Sequence, residues 1–376
     1  MNILLASDIF PPESGGPATY VVGLANALQK QGHTVQIITL NAHPKKDAVS
    51  CPLFFVQAKS KLVRYFEYGY LLWKQSVGVD AIYAMGPVNS GFPAFLVSKL
   101  RRKKLFVKVV GDYAWEQGMQ RFGVNDLIDV FQNKKYDFSV ECLRWIQSFV
   151  TRHAHGVIVP SEYLKRIVHG WGVKQNKIYR IYNSVHFKAV DPIVKKNNEM
   201  WIVSVGRLVP WKGFPVLMDA VLELQKEFAS LRLKIIGSGP EQKNLKLRIN
   251  DKKLESFVEL VGEVSHEKTL AYIQGADIFV LNSGYEGLSH VMLEALSLGR
   301  PVMASRVGGN PELLEPFNMG KLFGYNNKDE IKNIIRSSLA SGEWNHSGAS
   351  SDQRKEFFEQ FSFDFMIEQT KKVLCS

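Results

Sequence analysis

The chain has 376 residues, 45% hydrophobic and 22% charged, with 47 Lys/Arg against 36 Asp/Glu and a net charge of +11. This length exceeds what one hydrophobic core ordinarily holds, so two domains of similar size are expected, and the apolar share supports two packed cores. No apolar run reaches the roughly 18 residues that span a bilayer, and the opening Met-Asn-Ile-Leu-Leu-Ala is too short and uncharged for a signal peptide. The cysteines Cys51, Cys142 and Cys375 show neither metal-ligand spacing nor a disulfide pattern. A cytoplasmic location is expected, with peripheral attachment at the inner face of a membrane left open.

Along the chain, strand-like apolar runs alternate with helical patterns, the signature of parallel sheets covered on both faces. Residues 3–6 begin the first sheet, and a Gly-Gly-Pro turn leads into a helix with Val21, Leu24, Ala25 and Leu28 on one face. Gly32 closes it and a strand at 35–39 completes one β-α-β unit. Further strands are predicted at 53–56, 81–84, 105–110, 156–159 and 178–181, before a mixed polar stretch read as a linker over 186–200. A second series follows at 201–205, 233–236, 257–260, 278–281 and 301–304. The predicted fold is α/β, with two Rossmann-like domains, 1–185 and 201–357, whose parallel sheets face across a cleft. Ligands of such sheets bind beyond the strands' C-terminal ends.

Charge divides unevenly between the halves. Residues 1–190 hold 24 Lys/Arg against 12 Asp/Glu, and residues 191–376 hold 23 against 24. The basic half suits anionic lipid headgroups, phosphorylated acceptors or nucleic acid, and solubility accounts for it equally well. Lys99, Arg101, Arg102, Lys103, Lys104 and Lys108 form a cationic cluster suited to lipid or phosphate. The stretch 61–74 mixes aromatics with cations as interfacial helices do, but its apolar residues nearly encircle the helix, which favours an ordinary packed element. Nucleic acid is disfavoured because no stacking pattern or binding motif is present.

Polar groups collect after the predicted strands. Ser14-Gly15-Gly16-Pro17 allows close approach of backbone N–H groups to a phosphate, or simply makes a turn. Asp112 follows a strand as Gly111-Asp112-Tyr113, where it can orient a hydroxyl, assist proton transfer or cap a helix. Gly206 to Gly213 carries Arg207 and Lys212, a planar fork and a compact charge suited to a diphosphate, unless both are solvated surface cations. The Gly237-Ser238-Gly239 turn is explained by tight geometry without any ligand.

Residues 285–305 set Glu286 and Glu294 around a helix start, with Ser289 as N-cap, Gly299 at the end and Pro301 preventing continuation. Backbone N–H groups at a helix start attract phosphate, so the carboxylates beside them suit hydroxyls, as the two sugars of a nucleotide sugar would offer. No Asp-x-Asp motif for chelating a metal against a diphosphate occurs, and His153 and His155 read as flanking a buried strand.

With these motifs in order, the chain resembles the retaining glycosyltransferases of the GT-B fold, in the family 4 group that makes glycolipids and polysaccharides. The likeness rests on Glu286 to Glu294 with the following Gly-Arg-Pro-Val, on the Gly-Arg…Lys-Gly loop and on the Gly-Gly turn, and Ile158-Val159-Pro160-Ser161 and Tyr182-Asn183-Ser184-Val185 support it. The resemblance implies that Arg207 and Lys212 hold the donor diphosphate, Glu294 the ribose hydroxyls and Glu286 the transferred sugar. Main-chain groups of Gly287, Leu288, Ser289 and His290 would complete the phosphate site, with Gly15 and Gly16 closing over it. It further implies retained anomeric configuration, no metal, no cofactor beyond a UDP- or GDP-hexose donor as substrate, and a C-terminal helix within 358–376 that returns to the first domain. Many relatives carry a His near Gly111-Asp112, so its polar role falls to Asp112. The expected reaction is hexosyl transfer to a lipid-linked or saccharide acceptor, the alternatives being a nucleotide-sugar epimerase or a non-catalytic nucleotide-sugar-binding subunit.

Overall fold

The computed structural model describes residues 1–13, 16–185, 190–196, 198–341 and 349–376. The chain forms two compact units, Met1–Tyr182 with Asp364–Ser376, and Asn183–Phe363.

The first unit holds seven parallel strands: β1 Asn2–Ser7, β2 Thr34–Thr39, β3 Leu53–Phe55, β4 Ala81–Ala84, β5 Lys104–Lys108, β6 Gly156–Val159 and β7 Ile178–Arg180. Their order is β3-β2-β1-β4-β5-β6-β7, with Ile3 opposite Val35 on one side and Ala81 on the other. Runs such as Ile3 to Ala6 are buried throughout because helices cover both faces. The helix Gly16–Lys30 buries Val21, Leu24, Ala25 and Leu28, as its spacing requires.

The second unit holds six parallel strands: β8 Met200–Val205, β9 Leu231–Ile236, β10 Val258–Gly262, β11 Ile278–Leu281, β12 Val302–Ser305 and β13 Lys321–Phe323, in the order β10-β9-β8-β11-β12-β13. The short β13 carries only three residues and no periodic signal in sequence. Phe214, Leu217, Val221 and Leu224 of the helix Phe214–Gln225 share one core with Ile202, Leu233 and Ile335.

One boundary differs from the sequence expectation. The described part of the expected linker, 190–196 and 198–200, belongs to the second unit: Ile193 N–H donates to Ala271 O at 3.1 Å, and Lys195 pairs with Asp277. Near the C-terminus a helix Ser351–Gln360 in the second unit precedes the helix Phe363–Leu374, whose residues from Asp364 on belong to the first. There Gln31 Nε2 donates to Glu368 Oε1 at 2.6 Å, and the Tyr20 and Thr370 hydroxyls lie 3.5 Å apart.

Lys108 departs from the cationic cluster that its neighbours suggest. At the end of β5 its side chain turns inward, leaving the residue only 3% exposed, and Nζ lies 3.7 Å from the Tyr20 ring centroid with no hydrogen-bond partner. Burial pulls the amine down from 10.5 to about 7. The unfolded amine keeps its ordinary value, so between about 7 and 10.5 the unfolded chain binds more protons and stability rises with pH. Below pH 7 both states are protonated and the full cost of enclosing the charge is present. Thermal unfolding across this range should place Lys108→Met above wild type below pH 7, with the two curves converging toward pH 10.5. An unchanged pH slope in the variant contradicts the assignment.

Candidate functional site

The second sheet changes winding direction between β8 and β11, which are neighbours although β9 and β10 intervene in sequence. A crevice at such a point is where open α/β sheets bind ligands. The loop after β8 spans 206–213 and the loop after β11 spans 282–289, so Arg207, Lys212, Glu286 and residues 287–289 all belong to this edge.

The loops lie directly against one another. Gly237 has φ +134°, and a Cβ there would meet Gly206 O at 2.1 Å. Leu208 N–H donates to Ser238 O at 2.9 Å. The Gly-Ser-Gly turn that the sequence leaves without a ligand therefore seats the cation-bearing loop. Asn282 then ties that loop to its neighbour, with Nδ2 donating to Gly213 O at 2.8 Å and to Asn326 Oδ1 at 2.9 Å. Ser305, at the end of β12, accepts from Ser283 N–H at 3.0 Å and donates to Ser283 O at 2.5 Å.

Lys212 Nζ and Glu286 Oε1 stand 2.5 Å apart, bridging the two loops, with side chains only 13% and 11% exposed. An ion pair so enclosed forfeits much hydration on both sides, and removing one partner strands the other charge. Arg207 is exposed in the same loop as Lys212. The backbone of Glu286 is fixed from the loop after β12, where Gly309 N–H donates to Glu286 O at 2.9 Å.

Eight residues on, Glu294 lies in the helix His290–Ser297, whose N-cap Ser289 accepts from Met292 N–H at 3.3 Å. Glu294 Oε1 is 2.8 Å from His266 Nε2, a residue at the start of the helix His266–Gly275. Leu288 O accepts from Asn183 Nδ2 at 3.0 Å. His266, Asn282 and Ser305 escape a reading of the sequence. The signals for the last two are polar residues at the ends of buried strands, but nothing local points His266 at Glu294.

Asp112 belongs to the first unit. It is fully buried and caps the helix Tyr113–Arg121, accepting from Trp115 N–H at 3.0 Å, Gln147 Nε2 at 2.9 Å and Gln132 Nε2 at 2.8 Å. Burial raises its pKa while these donors oppose the shift. Of its sequence readings, the helix cap is the one displayed. Gly16 opens the helix Gly16–Lys30, and Gly15 lies outside the described residues. Among the described residues no group of three or more His, Cys, Asp or Glu side chains is placed to hold a metal ion.

Gly308 is the most constrained position of the site. Its φ is +55°, and a Cβ would fall 1.9 Å from Glu286 O. Gly299 has φ +70° with open space around it. Gly308→Ala should cost about 1–3 kcal/mol of stability and Gly299→Ala distinctly less, because only the first adds a backbone clash to the dihedral strain. Equal shifts in urea midpoint for the two variants would contradict the packing described for Glu286.

Residues 14–188 match the family described as Glycosyltransferase Family 4, and residues 187–353 match Glycosyl transferases group 1. An uncharacterized glycosyltransferase of Methanocaldococcus jannaschii is 24% identical over 99% of this chain and 97% of its own. The GPI3 subunit of the phosphatidylinositol N-acetylglucosaminyltransferase of Saccharomyces cerevisiae is 25% identical over 93% of this chain and 79% of its own. The structure of Anabaena HepE in complex with UDP-glucose superposes with a TM-score of 0.77 at 18% identity, covering 100% of this chain and 99% of the other. The two matches together span residues 14–353 and, with the twin parallel sheets, make the chain a glycosyltransferase of the GT-B type.

Proposed function

We propose that the protein transfers a hexosyl group from a UDP- or GDP-sugar to a lipid-linked or saccharide acceptor, with retained anomeric configuration and without a metal ion. The supporting observation is the Lys212–Glu286 pair at the switch point of the second sheet. It brings a cation suited to diphosphate and a carboxylate suited to sugar hydroxyls to one spot. HepE, with the same fold, binds UDP-glucose.

In this reading Lys212 and Arg207 neutralise the diphosphate, and the start of the helix His290–Ser297 receives a phosphate oxygen. Glu294 takes the ribose hydroxyls, and His266 fixes its orientation beforehand. Glu286 takes hydroxyls of the transferred sugar. Transfer breaks the bond from the anomeric carbon to the diphosphate, leaving the electron pair on the departing oxygen. The acceptor oxygen bonds to that carbon from the same face, and its proton passes to the departing phosphate. Negative charge grows on the diphosphate during this step, so fixed cations beside it lower the barrier.

A panel of UDP- and GDP-sugars should contain one that raises the melting temperature, by mass action on the folded state. With that donor and a lipid extract, Lys212→Ala should lower kcat/KM by about 100-fold or more while its circular dichroism stays native. Glu294→Gln should raise KM more than it lowers kcat. No stabilisation by any nucleotide sugar, or full turnover in folded Lys212→Ala, overturns the reading.

A further inference from the structure

The helix Lys61–Gln75 packs on the first unit by one side only. Tyr68 and Leu72 are fully buried, whereas Leu62, Phe66, Tyr70 and Trp73 recur every three or four residues along the opposite side. Phe66 is 80% exposed, Leu62 74% and Tyr70 61%. The adjoining helix Gly91–Leu100 extends this surface with Leu96 and with Leu100, which is 71% exposed. Scattered exposed apolar residues need no explanation, but a contiguous run on two packed helices does.

The charges carried by these two helices and by the turn after the second are, but for Glu67, of one sign. Arg101 lays its guanidinium 3.6 Å from the Trp73 ring centroid; Lys99, Arg102 and Lys103 adjoin Arg101 in sequence, and the exposed Lys74 adjoins Trp73. Glu67 is the only carboxylate of either helix, and it is turned to the backbone, accepting from Gln57 N–H at 3.0 Å and Ala58 N–H at 2.9 Å. A second copy docking through this face would set two basic rims against each other, which is unfavourable. An anionic bilayer offers the complement to both parts. Acyl chains receive Leu and Phe, the headgroup level suits Tyr and Trp, and lipid phosphates attract the rim.

The geometry points to this face as a docking surface for an anionic lipid bilayer, with Leu62, Phe66 and Leu100 entering the acyl boundary and Lys99, Arg101 and Arg102 meeting the headgroups. It draws on the first unit's surface and not on the donor assignment, so it stands or falls separately.

The test is cosedimentation of the full chain, without any sugar nucleotide, with vesicles of phosphatidylcholine alone or containing phosphatidylglycerol. Wild type should bind the anionic vesicles, and less so in high salt. Phe66→Glu should weaken binding about tenfold or more by moving a charge into the acyl boundary. The double variant Lys99→Gln/Arg102→Gln should weaken binding to anionic vesicles about tenfold and change binding to neutral ones little. These side chains are exposed, so unfolding temperatures should match wild type. Undiminished binding by Phe66→Glu overturns the proposal, as does equal binding to both vesicle types. So does a wild-type dimer that Phe66→Glu converts to monomer without altering vesicle binding.

Discussion

The second unit depends on its strand-end loops meeting backbone to backbone. The turn after β9 touches the loop after β8 at Gly237 and Gly206, and the loop after β12 touches that after β11 at Gly308 and Glu286. Between them Asn282 closes the seam to Gly213 O. Four adjacent strands thus present their loops as one continuous layer, and Lys212 and Glu286 face each other because that layer has no slack. Charge attraction alone would not hold a lysine and a glutamate 74 positions apart at 2.5 Å.

Within that layer each carboxylate already has a nitrogen beside it, Lys212 for Glu286 and His266 for Glu294. A ligand bearing both phosphate and hydroxyls can exchange these contacts without stranding a charge, because phosphate replaces Glu286 as the partner of Lys212 while hydroxyls replace Lys212 at Glu286. A ligand offering only one kind of group would leave a partly buried charge uncompensated. On the proposed reading, selectivity for an intact nucleotide sugar is built into the pairing.

Much of this was legible in the sequence. Two series of buried strands alternating with helices specified the twin parallel sheets, because burial on both faces erases the alternation that an antiparallel sheet would show. Arg207, Lys212, Glu286, Ser289 and Glu294 stood out because turn glycines and a capping serine mark strand ends and helix starts. What the sequence did not disclose was anything formed between distant loops. His266 meets Glu294 only through the fold, and Gly308 matters only because Glu286 O lies against it. Asp112 was ambiguous for a related reason: a strand-end carboxylate looks the same whether two glutamine side chains enclose it or solvent does. The helix Lys61–Gln75 reads as packed all round until one sees that its partner covers a single side.

The return of the helix Phe363–Leu374 to the first unit has a consequence for how the molecule is made. On a ribosome, the first 182 residues emerge long before Thr370 can reach Tyr20, and the whole second unit is synthesised in between. The first sheet must therefore wait for its last covering helix, with apolar side chains such as Ile367 and Leu374 arriving only at the end. Closing so long a loop adds little to the equilibrium cost, which grows only logarithmically with length, but it sets the order of events. The amino-terminal unit begins folding first and is completed last.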